Sequence, residues 1–326
     1  MLKKALTRRS AIQLAGLLLA SALGSAHAQS SAPLRIILPV GPGSGVDVIM
    51  RSAQNALSRA LDGQTVVIEN RPGAGGVIGT QAIVTAAADG YTIGVVSNNH
   101  AVNPSVYKTL PYDSVNDITP ITIVGGSPFV LVTNPALPAK NAKELQSLLK
   151  SKPDDINYAS SGNGTIIHLA GQMYLSEAGV KARHIPYKGM GPMIVDIMGG
   201  QVEMGVGALG AVLSQVQEGT LRPIGIMGKE RVPSLPDVPT IAEQGFPDVD
   251  IAGWFAAVGP KNLPSEQVER LRKAFVKAFN DPEVKEGFAR RNDFLILNSP
   301  QEAGKFFKSE TERYAGLVEQ AGVTIN

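Results

Sequence analysis

The 326-residue chain contains no cysteine. That excludes a disulfide scaffold, a thiolate zinc site, an iron–sulfur cluster, a cysteine nucleophile and a lipid-modified cysteine anchor. Aromatic residues make up only 5%, with a single tryptophan, and no basic patch is interleaved with them, so nucleic acid is not an expected partner. Histidine is scarce too: there are four, none in a His-Glu-x-x-His or comparable spacing, so no metal is expected. No apolar run approaches the ~20 residues of a spanning helix. A Gly-x-Ser-x-Gly elbow is missing, which disfavours an α/β-hydrolase nucleophile. No glycine-rich loop runs on into Gly-Lys-Ser/Thr, so a nucleoside triphosphate is not favoured either.

What is present begins with an export signal. Lys3, Lys4, Arg8 and Arg9 form a basic start, Leu14 to Leu23 an apolar stretch, and Ala26-His27-Ala28 a small-x-small cleavage site. Residues 1–28 are therefore expected to be a signal peptide. Thr7-Arg8-Arg9-Ser10-Ala11-Ile12 looks like a twin-arginine signal, although Ala11 replaces the usual bulky residue; a general secretory signal carrying two arginines reads the same. Losing those four positive charges, with no negative ones, takes the formal net charge from +2 to −2. The mature chain is mildly acidic, and periplasmic localisation is expected.

Along the mature chain, strand and helix patterns alternate. Short apolar runs at Leu34–Val40, Thr65–Glu69, Tyr91–Ser97, Ile156–Ala159, Arg183–Pro186, Val202–Val206 and Arg222–Met227 read as strands. Between them, i, i+3, i+4 apolar spacing predicts a helix carrying Val48, Ile49, Ala53, Ala56, Leu57, Ala60 and Leu61, and further helices from Val77 to Ala88, from Ile166, and over Pro192–Met198 and Ala208–Gln217. This is an α/β pattern with largely parallel sheets, which places ligands at the strands' carboxyl ends. Two long extended stretches, Asp117–Pro135 and Ile251–Gly259, interrupt it and suggest a chain that leaves one lobe, builds another and returns. The C-terminal helices, Ser265–Asn280, Pro282–Arg291 and Gln301–Gln320, are then expected on the first lobe.

Three strand-to-helix turns are rich in glycine: Gly41-Pro42-Gly43-Ser44-Gly45, Gly73-Ala74-Gly75-Gly76 and Ser160-Ser161-Gly162-Asn163-Gly164-Thr165. Each can aim backbone N–H groups at an anion beside the positive end of a helix. Ser44 is placed to cap its helix, with Asp47 in the first turn. One such turn is usually only a tight connection; three in one chain point to an anion site. Gly205-Val206-Gly207-Ala208-Leu209-Gly210 also matches G-x-G-x-x-G, with Glu230 downstream, which keeps an exported dinucleotide enzyme as an alternative. His168 is placed beside the third turn. Trp254, on an extended crossing, reads as core or hinge packing.

Together the motifs resemble the Bug family of extracytoplasmic solute receptors, the binding proteins of tripartite tricarboxylate transporters. The carriers are Asn70-Arg71-Pro72-Gly73-Ala74-Gly75-Gly76, Asp89-Gly90-Tyr91-Thr92, Leu110-Pro111-Tyr112-Asp113, Ile185-Pro186-Tyr187-Lys188-Gly189, Gly199-Gly200-Gln201-Val202 and Leu235-Pro236-Asp237-Val238-Pro239-Thr240, followed by Glu243-Gln244-Gly245. They run in order over essentially the whole mature chain.

The resemblance implies a two-lobed α/β periplasmic binding protein, type II-like, with mixed, mostly parallel sheets and a ligand cleft between the lobes. Lobe 1 would comprise residues 29–128 and 252–326, and lobe 2 residues 129–251. It implies a monomeric receptor, not an enzyme, without cofactor, that captures a small organic carboxylate: a di- or tricarboxylate or an aromatic acid. Its partners would be membrane transporter subunits or, in a sensing role, a membrane kinase. One carboxylate would be gripped by the loops carrying Val40, Pro42, Gly43, Ser44 and Asp47, and Gly73, Ala74, Gly75 and Gly76. Lobe 2 would contribute Ser160, Gly162, Thr165 as a hydroxyl donor, His168 and Ala208. Val40 stands where the family often carries Phe, and Ser44-Gly45 departs from its usual Gly-Gly-Pro-Thr-like run; the smaller Val40 implies extra room.

Overall fold

The computed structural model describes residues 32–153 and 155–323. The expected signal peptide and Asp154 lie outside them.

Strand β1 (Leu34–Leu38) is buried at every position but Arg35, as expected of a strand covered on both faces. It lies between β2 (Val66–Asn70) and β3 (Thr92–Ser97), parallel to both. Arg35 reaches across to Glu69 at 2.8 Å, so the one charge in the apolar run is answered on the neighbouring strand. Helix α1 (Gly45–Ala60) joins β1 to β2 and buries Ile49, Met50, Ala53, Ala56 and Leu57, while Val48 of the same expected stripe is exposed. Helix α2 (Val77–Val84) ends four residues before Ala88. A third helix, α3 (Asn98–Val106), follows β3 directly. It was not legible, because its apolar positions follow no single stripe and Pro104 sits inside it.

The first extended stretch is one 16-residue strand, β4 (Ile118–Thr133). After it come α4 (Ala142–Ser151), β5 (Asn157–Ser160), α5 (Ile166–Glu177), β6 (Arg183–Pro186), α6 (Met190–Met198), β7 (Met204–Ala208), α7 (Leu209–Gln217) and β8 (Arg222–Ile226). The second crossing is β9 (Ala252–Pro260). Then α8 (Ser265–Phe279), α9 (Pro282–Arg291), the short β10 (Phe294–Leu295) and α10 (Pro300–Ala321) complete the described elements.

The strands are ordered β2-β1-β3-β9-β4-β7-β5-β6, with β8 and β10 also paired to β4. The two wings are parallel, as the alternation predicts. Strands β4 and β9, in contrast, run antiparallel to each other and to every strand they touch, so the middle of the sheet is antiparallel. The reason is connectivity: β9 returns late in the chain, after β8 and with no helix between them, and inserts antiparallel between β3 and β4. Gly125 and Gly126 sit where the β4–β9 register shifts. A Cβ on Gly125 would lie 2.1 Å from the Phe294 carbonyl oxygen, and one on Gly126 would lie 2.2 Å from that of Gly253. Only glycine allows this approach.

The apolar interior forms two clusters. One joins β1, α1, α8 and α9, with Phe275 and Phe279 at its centre. The other spans the β4–β8 region and includes Phe307, Tyr314 and Val318 of α10. The C-terminal helices are expected on lobe 1, and α10 also reaches beyond the residues assigned to it. Helices α8 and α9 pack on α1, whereas α10 lies on α3, β4 and α5. Its buried apolar residues, Ala303, Phe307, Tyr314 and Val318, all join the second cluster.

Candidate functional site

A cavity of about 770 Å³ opens where the strands' carboxyl ends meet. Its walls come from the β1–α1, β2–α2, β3–α3, β5–α5 and β6–α6 connections, from Ala208 at the end of β7, and from Phe129 and Trp254 on the crossings. Of the expected ligand residues, Val40, Pro42, Ser44, Gly73, Ala74, Gly75, Gly76, Gly162, Thr165 and Ala208 line it. Gly43, Asp47, Ser160 and His168 do not; they stand behind the wall.

Asp47 shows what that second row does. It is 4% exposed, and its carboxylate accepts from the Gly43 amide at 2.9 Å, from Arg51 Nε at 2.9 Å and from Asn70 Nδ2 at 2.9 Å. Asn70 Nδ2 also contacts the Val40 carbonyl at 3.2 Å. The first glycine loop is thus pinned from inside by the Asp47 side chain, and the Gly43 amide is spent on it. Ser44 caps α1 through the Asp47 amide at 3.3 Å, as its position predicts. The amides of Gly45 and Val46, in the first helical turn, have no intrahelical acceptor and border the cavity. Asn70 was missed as a functional residue; only its place in the Asn-Arg-Pro-Gly motif signalled it.

The second loop is a run of four left-handed residues: Gly73 (φ 127°), Ala74 (φ 47°), Gly75 (φ 61°) and Gly76 (φ 97°). Three are glycine, for which this region carries no steric cost, while Ala74 is a strained exception. Gly76 donates back to the Gly73 carbonyl at 2.9 Å. The Ala74 and Gly75 amides donate to no acceptor among the described residues, so they can serve an anion in the cavity. Asn103 and Tyr107 of the α3 region hold the loop from outside, with Asn103 Nδ2 3.3 Å from the Gly75 carbonyl.

On the opposite wall, Thr165 caps α5. Its hydroxyl donates to the Gly162 carbonyl at 2.8 Å and accepts from the His168 amide and from Ser161 Oγ. It lines the cavity, but its proton is already committed within the loop, which differs from the donor role expected of it. Behind the loop, His168 and His184 stack with centroids 3.8 Å apart, and Tyr158 packs beside the pair, 4.8 Å from His184 and 6.0 Å from His168. His168 Nδ1 accepts from the Gly164 amide at 3.1 Å, and His184 Nε2 lies 2.6 Å from Ser160 Oγ. Burial lowers both rings to about 4, and His184 adds to that for His168. Both are therefore neutral at pH 7 and serve as loop supports.

Asn99, at the start of α3, accepts from the Ile166 amide at 2.8 Å. It caps a helix from across the cavity. Sequence reasoning passed over it, although its polar run follows β3 at the carboxyl end, where functional loops gather. Trp254 packs in the wall with its indole N–H 2.9 Å from Glu310 Oε2, consistent with the expected structural role. The dinucleotide match does not survive. A Cβ on Gly205 would meet Ile197 at 2.7 Å and one on Gly207 would meet Val212 at 2.7 Å, so the space a pyrophosphate would need is filled.

Residues 49–323 match the profile of the family described as tripartite tricarboxylate transporter family receptor. The chain is similar to Protein BugT of Bordetella pertussis, 35% identical over 303 residues that span 92% of this chain and 93% of that one. The structure of the periplasmic binding protein BugD aligns at 31% identity with a TM-score of 0.86, over 90% of this chain and 98% of that one. An R. palustris protein solved with adipate aligns at 28% identity with a TM-score of 0.87, over 91% of this chain and 99% of that one.

Proposed function

This chain belongs to the tripartite tricarboxylate transporter receptor family, and from that premise we propose that it is a periplasmic receptor, not an enzyme, that captures a small organic carboxylate for uptake through membrane transporter subunits. The fold is the two-lobed α/β fold of periplasmic binding proteins. The observation that carries the ligand class is the pair of glycine loops with uncommitted amides: Gly45 and Val46 on one, Ala74 and Gly75 on the other. A carboxylate is costly to desolvate unless its oxygens are hydrogen-bonded, and preorganised amides beside a helix start supply those bonds without a salt bridge. The adipate held by the R. palustris relative supports the same class.

Under this reading residues 29–128 and 252–326 form one lobe and 129–251 the other, with β4 and β9 as hinges. Gly73 to Gly76 and the Val40–Ser44 loop face Gly162, Thr165 and Ala208 across the cleft, while Gly43, Asp47, Ser160 and His168 hold these loops in place. The test is a thermal-shift panel of mono-, di- and tricarboxylates and aromatic acids on the mature protein. A true ligand at 100 times its dissociation constant adds about 2.7 kcal/mol of stability. A panel in which no acid raises the melting temperature would overturn the proposal.

A further inference from the structure

The β2–α2 and β6–α6 connections follow the two outermost strands of the order β2-β1-β3-β9-β4-β7-β5-β6, yet both line one cavity. The sheet thus brings its two ends together across the ligand space. The β2 side offers uncharged backbone amides. The β6 side offers Lys188, the one charged side chain lining the cavity among the described residues.

Lys188 is held there by its neighbours. The Tyr187 amide donates to the Ser160 carbonyl at 3.0 Å, and the Tyr187 hydroxyl donates to Asp196 Oδ2 at 2.8 Å, so the residue before the lysine is pinned at both ends. Gly189 (φ 122°) then turns the chain into α6. The nearby carboxylate of Asp196 is engaged by Tyr187, and the Lys188 ammonium makes no hydrogen bond or ion pair with any described residue. An uncompensated cation at the edge of a cavity whose uncharged wall includes Phe129, Trp254, Val40 and Ile166 attracts negative charge, and the attraction grows as water is displaced.

Resting on the reading of this cavity as a carboxylate site, we infer that Lys188 is the specificity-determining residue that makes the receptor prefer doubly charged acids: one carboxylate sits on the backbone amides and the second meets the Lys188 ammonium. An apolar stretch between two charge-complementary ends suits a linear diacid. A monocarboxylate of equal length would satisfy only the amide end and leave the ammonium unpaired.

The experiment is titration calorimetry on the mature protein with matched acids: butyrate and succinate, pentanoate and glutarate, hexanoate and adipate. Wild type is expected to bind at least one diacid about tenfold or more tightly than its monoacid, as one charge-assisted hydrogen bond allows. Lys188→Met should erase that ratio while leaving monoacid affinity within about twofold, and Lys188→Arg should retain it. Raising the salt concentration should weaken diacid binding in wild type more than in Lys188→Met. Lys188 is exposed, so neither variant is expected to alter the melting temperature of the free protein. If monoacids bind but the diacid advantage is missing, or survives in Lys188→Met, the inference falls and the carboxylate reading stands. If wild type binds none of the six acids, this inference fails along with a carboxylate reading for acids of that size.

Discussion

Gly75 illustrates how a single residue can decide ligand recognition. Its φ of 61° is strained for any side chain, and a Cβ there would lie 3.2 Å from the Tyr107 hydroxyl and 3.3 Å from Asn103 Oδ1. Gly75→Val should therefore twist the amide run of the second loop and cut carboxylate affinity at least tenfold. The fold should survive, with a stability loss of about 1–3 kcal/mol. Calorimetry showing unchanged affinity would remove this loop from the site. The stacked histidines make a pH-dependent contribution at the same scale. In the unfolded chain each ring titrates near 6.5, whereas burial lowers His168, His184 and the buried His100 to about 4 in the fold. Between those values the unfolded state binds more protons, so stability falls as pH drops through this window and is flat above about 7. His168→Gln removes one of the three contributions. Urea unfolding at pH 7.5 and pH 5.0 should show the variant losing about 1 kcal/mol less than wild type over that interval. An equal loss in both proteins would mean that His168 is not held neutral by the fold.

At the scale of elements, helix starts are the working parts of the cleft. Helix α1 is capped by its own Ser44, and α5 by Thr165. The first amide of α5, however, is satisfied by Asn99 from α3, on the far side of the cavity. That bond ties two walls of the cavity together, and it is expected to act as a latch that opening the cavity would break. Asn99→Ala should weaken carboxylate binding about three- to tenfold, in line with the loss of one helix-capping bond of about 1 kcal/mol. Thermal stability of the ligand-free protein should change little. Affinity within a factor of two of wild type would show that the bond does not contribute to the bound state.

For the whole molecule the question is how two walls joined by two strands can close. Gly125, Gly126 and Gly253 lie close together where β4 pairs with β9, and Phe129 packs on Gly253, so the backbones approach closely there. Helix α10 spans the same region: Asn98 Nδ2 donates to the Tyr314 hydroxyl at 2.6 Å, and Arg313 donates to the Asp250 carbonyl at 2.7 Å. Closure about such a joint favours the state in which both walls touch the ligand. Solution scattering should show a smaller radius of gyration with a binding carboxylate and no change with a non-binding acid. If a tightly bound acid leaves the curve unchanged, one wall carries the whole site or the free protein is already closed.

Much of this protein was legible from its residues alone, because the determining interactions are local. Apolar periodicity placed α8 and α9 to within a residue or two, glycine runs marked three turns that line the cavity, and Ser44 with Asp47 marked a helix start. Each of these depends on neighbours a few positions apart. What the tertiary structure decided depends on residues far apart in the chain. It placed Asp47, Ser160 and His168 outside the cavity lining, with their polar atoms hydrogen-bonded to Asn70, His184 and Gly164. It set the direction of β4 and β9, laid α10 on α3, β4 and α5, and brought Asn99 and Lys188 to the same cavity. A sequence shows which side chains can make such bonds; only the folded sheet, by bringing its two ends to one cavity, decides which of those bonds are made.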